Sequence, residues 1–211
     1  MSSYEKIYQS WKNNPQDFWQ EAAREIHWFK ECEEILYEAN APLYQWFKGA
    51  KTNTCYNAID RHVIAGQGDR TALIYDSAMT GQVRKYTYAE MQDHISKFAG
   101  VLIAKGVKKG DRVLLYMPMI PEAVITMLAC ARIGAIHTVV FGGFASNELA
   151  KRIIDAEPKI IVSATCGLEP GRVIAYKPLL DEALAISKSA AKTIIVNCPE
   201  CEAELIGGRD F

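Results

Sequence analysis

The stretch DRVLLYMPMIPEAVITMLACARIGAIHTVVFGGFASNELAKRII, residues 111–154, predicts strand, helix, strand, turn and helix in succession. Val113–Met117 is short and apolar, as is typical of a strand buried on both faces of a parallel sheet. Pro121 can occupy the first position of the next helix, which is apolar nearly all round and is therefore expected to be buried. Gly134 can end that helix in the left-handed conformation, and Ile136–Phe141 is the next predicted strand.

The second strand runs into a glycine turn, Gly142-Gly143-Phe144, and the hydroxyl of Ser146 can cap the helix that follows. Ligands of parallel sheets bind beyond the carboxyl ends of the strands, often at helix N-termini, and adjacent glycines let backbone approach a ligand closely. The turn thus indicates a ligand site, with a tight turn that binds nothing as the alternative. The dinucleotide fingerprint G-x-G-x-x-G does not occur here.

Upstream of this stretch, Thr71–Tyr75 and Val83–Tyr88 predict a β-hairpin. Thr87 and Glu90 have the spacing of a capping box and predict the start of a helix. That helix carries an apolar stripe at spacings of three and four residues, made of Tyr88, Met91, Ile95, Phe98 and Leu102.

Downstream, Lys159–Ala164 and Thr193–Val196 predict strands, Pro178–Ile186 a helix and Thr165–Tyr176 a loop. The helix between the glycine turn and Pro158 is expected to bury one face, made of Leu149, Ala150, Ile153 and Ile154. Strands that alternate with helices predict an α/β fold with a parallel sheet and right-handed crossovers.

Residues 1–65 contain all four tryptophans and differ from the rest of the chain. Helices are expected near Tyr4–Lys12, Gln16–Glu25 and Thr54–Ile64, and the segment shows no strong β pattern. We therefore predict two parts, a helical, aromatic-rich segment over residues 1–65 and an incomplete α/β domain over residues 66–211.

The composition is that of an ordinary globular protein, with 211 residues, 49% hydrophobic residues and 23% charged residues. A formal net charge of −1 gives no general attraction to nucleic acid or to anionic membranes. The N-terminus MSSYEKIYQSWKNN lacks a hydrophobic signal core and does not resemble a transit peptide. We expect a cytoplasmic protein, with the mitochondrial matrix as the alternative.

Six cysteines are scattered along the chain, which suits free thiols in a reducing compartment. Cys198 and Cys201 have the spacing of metal ligands, but no second pair of similar spacing supplies the two further ligands of a zinc site. We therefore predict a turn at a strand end here, and no metal site.

Four segments together resemble the AMP-forming acyl-CoA synthetases, in the acetyl-/propionyl-CoA synthetase branch of the adenylate-forming enzymes. They are FWQEAAREIHWFK (18–30), WFKGAKTNTCYNAIDRHV (46–63), YMPMIPEAVITMLACARIGAIHTVVFGGFASNELAKRI (116–153) and EPGRVIAYKPLLDEAL (169–184). The last segment is most similar to propionyl-CoA synthetases. At this place acetyl-CoA synthetases usually carry arginine, two glycines and a basic residue. In this chain, Glu169 and Pro170 stand at the first two of those four positions.

The resemblance implies the large domain of an adenylate-forming enzyme and a ligase that uses ATP, CoA and Mg²⁺. Propionate would react with ATP to give an acyl-adenylate and pyrophosphate, and the CoA thiol would then displace AMP to give propionyl-CoA. Mg²⁺ and basic groups would neutralise the phosphoryl charge. Acetate is the alternative acid, and all expected partners are small molecules.

Two places are implied to contact CoA. Gly142, Gly143 and Phe144 would line the path of the pantetheine, and Gly171 and Arg172 would lie near the nucleotide end. A guanidinium suits phosphate because its planar fork donates hydrogen bonds in pairs. Lys177 is a weaker candidate that flanks the next helix.

The family's Ser/Thr/Gly-rich nucleotide loop and its C-terminal domain with the catalytic lysine find no match in these 211 residues. We therefore expect an N-terminal piece of a ligase that is inactive alone, and no catalytic residue is named. The alternatives are a non-catalytic module, which binds CoA weakly or serves only in folding or interaction, and a nucleotide-binding oxidoreductase domain, which the missing fingerprint disfavours.

Overall fold

A computed structural model describes residues 2–211 as two units. The first unit ends at Asn57, and the second runs from Ala58 to Phe211. The domain division after residue 65 stays a prediction. Among the described residues, no helix combines the length and the apolar character that crossing a bilayer requires.

The first unit opens with helices α1 (Ser3–Asn13) and α2 (Pro15–Ala23), which confirms the two helices predicted near the N-terminus. Asn14 separates them and caps α2 by accepting a hydrogen bond from the Asp17 N–H at 3.3 Å. Pro15 takes the first position of α2, where its missing N–H has no intrahelical partner to lose.

Strands β1 (Glu34–Tyr37) and β2 (Gln45–Lys48) then pair antiparallel, which the sequence pattern did not predict. Four-residue strands are too short to show a clear alternation of apolar and polar residues. The helix predicted over Thr54–Ile64 is confirmed, since residues 54–64 are helical throughout, with π-helical segments at Tyr56–Asp60 and Val63–Gln67.

The remaining helices and strands, in chain order, are β3 (Thr71–Ser77), β4 (Gln82–Thr87), α3 (Tyr88–Ala104), β5 (Arg112–Met117), α4 (Pro121–Ile133), β6 (Ile136–Phe141), α5 (Ser146–Ala156), β7 (Ile160–Ala164), β8 (Cys166–Glu169), β9 (Arg172–Ala175), α6 (Tyr176–Ser187) and β10 (Lys192–Val196). The predicted hairpin is confirmed as β3 and β4. The capping box is confirmed as well: the Glu90 N–H donates to the Thr87 hydroxyl at 3.2 Å, and the Thr87 N–H donates to the Glu90 carboxylate at 2.8 Å.

The central sheet is parallel, as predicted, with strand order β10-β7-β5-β6. The chain moves outward from β5 to β6 through α4 and returns through α5 to β7 on the other side of β5. Right-handed crossovers therefore place α4 and α5 on opposite faces of the sheet. The strand order reverses between β5 and β7, and the crevice at the carboxyl ends of two such strands is where α/β sheets bind ligands.

The strand β5 is buried on both faces, as its apolar run predicted. Its side chains alternate across the sheet. Leu114 and Tyr116 join one core cluster with residues of α5 and α6, and Val113 and Leu115 are buried on the opposite face.

Helix α5 corrects two expectations. Ser146 does not cap it, because Ala145 is the N-cap residue and the Ser146 hydroxyl donates instead to the Glu182 carboxylate on α6 at 2.6 Å. Of the predicted buried face, Leu149 and Ile153 are buried, as is Ala150, but Ile154 is 58% exposed. An α-helix has 3.6 residues per turn, so consecutive side chains point in different directions. The side chain of Ile154 therefore points away from the sheet that Ile153 faces.

Candidate functional site

The glycine turn leaves the carboxyl end of β6 and has no room for a side chain at its first residue. A Cβ placed on Gly142 would lie 2.5 Å from the Tyr176 hydroxyl oxygen and 2.8 Å from the Met117 carbonyl oxygen. Gly143 adopts φ +90°, a left-handed conformation that glycine takes without the steric cost of a Cβ. Packing therefore requires a glycine at position 142, and the backbone conformation requires a glycine at position 143.

A buried tyrosine holds this turn in place. The Tyr116 hydroxyl donates a hydrogen bond to the Phe144 carbonyl oxygen at 2.8 Å, and the Tyr116 ring lies 4.8 Å from that of Tyr176. Burial raises the pKa of Tyr116 to about 12, so the hydroxyl remains a proton donor at physiological pH. The sequence analysis missed both tyrosines, since each looks like ordinary core packing in a strand or at the start of a helix.

The side chain of Phe144 is half-buried between the turn and α5. Its ring lies 5.6 Å from the Phe141 ring, and the Arg152 guanidinium carbon lies 4.8 Å from the ring centre. Phe144 also packs against the core cluster, which connects the turn to the sheet and to α5. Its predicted contact with pantetheine stays a prediction.

The prediction of a loop over Thr165–Tyr176 is wrong, because this segment forms an antiparallel hairpin of β8 and β9. Pro170 and Gly171 make the connection, with Gly171 at φ +74°. Proline followed by glycine at positive φ is the residue pattern of a type II turn. The turn places Glu169 directly opposite Arg172.

The hairpin brings together the two places that were predicted separately. A Cβ on Gly143 would lie 3.9 Å from the Glu169 Oε1 atom and 3.9 Å from the Ile174 Cδ1 atom. The glycine turn after β6 and the tip of the β8–β9 hairpin are therefore neighbours at the carboxyl edge of the sheet. We call Gly142–Phe144 together with Glu169–Arg172 the turn–hairpin site.

Arg172 is an exposed cation at this site, with a side chain that is 68% exposed. Its Nε donates to the Glu169 Oε2 atom at 2.8 Å, and its Nη2 pairs with the same oxygen. Exposed ion pairs of this kind contribute little free energy, so an anionic ligand can compete with Glu169 for the guanidinium. The role of Arg172 in binding CoA stays a prediction.

Lys177 is a structural residue. Its side chain is 3% exposed, and its Nζ lies 2.7 Å from an Asp181 carboxylate oxygen and 3.0 Å from one of Asp210. A lysine held by two carboxylates below the surface is not available to a phosphate group. Asp181 lies four residues further along the same helix, a spacing that is visible in the sequence, whereas Asp210 lies beyond β10 and reaches Lys177 only in the folded chain.

A cavity of 170 Å³ lies at the reversal of strand order, beyond the carboxyl ends of β5, β7 and β10. It is lined by Pro118 after β5, Cys166–Leu168, Val196–Glu200 and side chains of the β3–β4 hairpin that include Arg84. None of the five residues predicted to contact CoA lines it. Among residues 2–211, no three His, Cys, Asp or Glu side chains are placed to hold a metal ion.

Comparison with known families gives two matches that together span most of the chain. The model described as "AMP-binding enzyme" matches residues 60–206, and the model described as "Acetyl-coenzyme A synthetase N-terminus" matches residues 4–58.

Individual relatives agree with these matches. The chain is 48% identical over its whole length to the human "Acyl-CoA synthetase short-chain family member 3, mitochondrial" and spans 31% of that protein. It is 45% identical to an "Acetyl-coenzyme A synthetase" of Streptomyces avermitilis, over 97% of the chain and 31% of the relative. It is 44% identical to a "Propionate--CoA ligase" of Salmonella typhimurium, over 99% of the chain and 33% of the relative. The chain thus spans about a third of the length of these relatives.

A solved structure shows the same fold. The "Acetoacetyl-CoA Synthetase from Streptomyces lividans" superposes with a TM-score of 0.87 at 23% identity, over 100% of this chain and 32% of that chain. This likeness confirms the mixed α/β architecture with a parallel sheet.

Proposed function

Because the chain belongs to the AMP-binding enzyme family, we propose that it forms part of an AMP-forming short-chain acid–CoA ligase that acts on propionate. The ligase converts propionate, ATP and CoA into propionyl-CoA, AMP and pyrophosphate through an acyl-adenylate. Acetate is the alternative acid. The cofactors are ATP, CoA and Mg²⁺, and the described residues present groups suited to CoA.

The observation that carries this proposal is the turn–hairpin site. The Gly143 backbone lies beside Glu169 on the hairpin, and the Glu169 carboxylate pairs with the exposed guanidinium of Arg172. CoA has the matching chemistry, since it combines a narrow amide chain with a nucleotide that bears phosphate groups. In the proposed complex, the turn lets the pantetheine pass close to the backbone, and Arg172 pairs with a phosphate.

The preference for propionate rests on the hairpin tip, where Glu169-Pro170 replaces the arginine-glycine pair usual in acetyl-CoA synthetases. Identity to the named acetyl-CoA and propionate relatives is nearly equal, at 45% and 44%, and does not discriminate between them. The name of the human relative contains the word "mitochondrial", which supports the matrix alternative for location, and the cytoplasmic location stays a prediction.

The proposed function is tested by assaying pyrophosphate release with CoA, ATP and Mg²⁺ in a full-length ligase that carries this chain. We expect a higher kcat/KM for propionate than for acetate, and no release above a protein-free control from residues 1–211 alone. A higher kcat/KM for acetate would replace propionate with the alternative. Absence of acid-dependent release with every short acid would contradict the ligase assignment.

The role of Arg172 gives a prediction for the same full-length enzyme. Arg172→Ala should raise the KM for CoA about tenfold, because a charge-assisted hydrogen bond in a partly wet site contributes about 1.4 kcal/mol. Glu169→Gln should lower this KM, because it removes the carboxylate that competes for the guanidinium. Steady-state kinetics with CoA varied at saturating ATP and propionate measure both effects.

The control is propionate-dependent ATP–pyrophosphate exchange, which reports adenylate formation and needs no CoA. We expect it to remain near wild type in both variants. Arg172→Lys should recover part of the loss, because an ammonium retains the charge but not the planar fork. If exchange falls as far as thioester formation in Arg172→Ala, the residue does not act on CoA.

A further inference from the structure

A tight turn directly after β10 brings two cysteines together. In Cys198-Pro199-Glu200-Cys201, the Cys201 N–H donates to the Cys198 carbonyl oxygen at 3.3 Å, the hydrogen bond that closes a β-turn, and proline favours the second position of such a turn. A β-turn keeps the Cα atoms of its first and fourth residues within about 7 Å. Disulfides span Cα separations of about 4.4–6.8 Å, so the turn suits a disulfide.

The backbone of Cys198 is anchored to the end of β7 by Thr165. The Cys198 N–H donates to the Thr165 hydroxyl oxygen at 2.9 Å, and that hydroxyl lies 3.3 Å from the Cys198 carbonyl oxygen. Cys201 belongs to residues 197–205, which form neither helix nor strand. The backbone of Cys198 is thus held in place by Thr165, while Cys201 lies in the irregular segment that follows.

Both thiols of the pair are within reach of solvent. Cys198 and Cys201 are only half-buried, and Cys198 lines the 170 Å³ cavity. The neighbouring Cys166 is 1% exposed, and burial, followed by repulsion from the thiolate forms of Cys198 and Cys201 and from Glu200, raises its pKa to about 11. A buried thiol that stays protonated is a poor nucleophile, so Cys166 does not compete for this chemistry.

We propose that Cys198 and Cys201 are a redox site in which the two thiols form a reversible intramolecular disulfide. The oxidant is a small-molecule disulfide such as oxidised glutathione. One cysteine loses its proton, and its thiolate attacks a sulfur of oxidised glutathione and expels one glutathione thiolate. The second cysteine loses its proton and attacks the mixed disulfide through its protein sulfur, which expels the second glutathione thiolate. The protein loses two protons and two electrons, and the products are one disulfide and two reduced glutathione molecules.

Thiol trapping and peptide mass measurement test this proposal directly. The folded chain is equilibrated in buffers of increasing oxidised-to-reduced glutathione ratio, quenched with iodoacetamide and digested with trypsin. Residues 193–209 form one tryptic peptide that contains Cys198 and Cys201 and no other cysteine. We expect it to become lighter by two hydrogen atoms and to carry no alkyl group, and excess reductant should restore two alkylation sites.

Two variants and one internal control complete the experiment. In Cys201→Ser, Cys198 should accumulate as a mixed disulfide with glutathione, since it has lost its resolving partner. Cys32, which is also half-buried, lies on a separate peptide and should form only a mixed disulfide under the same conditions. The Cys198–Cys201 disulfide would close a ring of only four residues, so we expect little change in melting temperature. The experiment therefore does not use stability as its readout.

Three outcomes would overturn the proposal. The peptide could carry glutathione on both cysteines. It could remain fully reduced at glutathione ratios that oxidise Cys32. It could also be cross-linked to the peptide 160–172, which contains Cys166. Each of these results would show that the turn does not bring the two sulfurs into bonding geometry. None of them bears on ligase activity, so the test is independent of the proposed function.

Discussion

Replacing Asp210 with alanine should lower the free energy of unfolding by about 3–5 kcal/mol, the range for breaking a buried ion pair. The Asp210 side chain is 0% exposed and accepts from the Arg209 Nε at 2.6 Å and from the Ile206 N–H at 2.8 Å. It also pairs with the buried Nζ of Lys177 at 3.0 Å and accepts from the hydroxyl of Thr193 on β10. Alanine leaves all of these donors without that partner. Chemical denaturation followed by circular dichroism measures the loss.

A double-mutant cycle separates this ion pair from a general weakening of the structure. Lys177→Met should cost less in the Asp210→Ala background than in the wild type, because the two side chains share one interaction. The matched surface control is Asp93→Ala, which breaks the exposed Lys97–Asp93 pair at 2.6 Å and should cost at most about 0.5 kcal/mol. Equal losses for Asp210→Ala and Asp93→Ala would contradict the buried network.

The same carboxylate predicts a pH dependence. Burial alone raises the pKa of Asp210, but hydrogen bonds from Arg209, Thr193, the Ile206 N–H and Lys177 outweigh it and hold the pKa well below its usual range. A folded-state pKa below the unfolded value of about 3.9 means that folding favours the charged form. The stabilisation is complete above about pH 5 and is lost progressively as the pH falls through 4 and below. Asp210→Asn should therefore lose less stability than the wild type between pH 5 and pH 3.

The second large effect is expected for Gly142→Ala, which should lower the free energy of unfolding by about 2–3 kcal/mol through overpacking. The added methyl group would meet the Tyr176 hydroxyl at 2.5 Å and the Met117 carbonyl oxygen at 2.8 Å. Tyr176→Phe in the Gly142→Ala background should recover only part of the loss, since the backbone oxygen remains. Thermal and denaturant unfolding measure these variants.

Two glycines offer matched controls for the same chemical change. Gly143→Ala meets nothing closer than 3.9 Å but has φ +90°, so strain alone should cost about 1–2 kcal/mol. Gly100 lies on an exposed part of α3 with nothing within 4 Å, and Gly100→Ala should stabilise the chain by about 0.5–1 kcal/mol. A Gly142→Ala protein as stable as wild type would show that the turn can move away from Tyr176.

The elements with local signals could be predicted from the amino-acid sequence. The apolar run of β5, the Thr87–Glu90 capping box and the proline and glycine at the ends of α4 each depend on residues within a few positions of one another. They were sufficient to predict strands that alternate with helices, and hence a parallel sheet. The resemblance of four segments to one enzyme family also came from the sequence alone.

How distant segments meet could not be predicted from local sequence patterns and became visible in the folded chain. Gly143 lies close to Glu169, and this proximity brings the glycine turn beside a hairpin that was predicted to be a loop. Lys177 can pair with Asp181 four residues along the same helix, but its pairing with the distant Asp210 and its burial have no local sign in the sequence. The physical reason is the same in both cases: burial and pairing depend on which segments the sheet brings together, whereas periodicity and capping report only on neighbours along the chain.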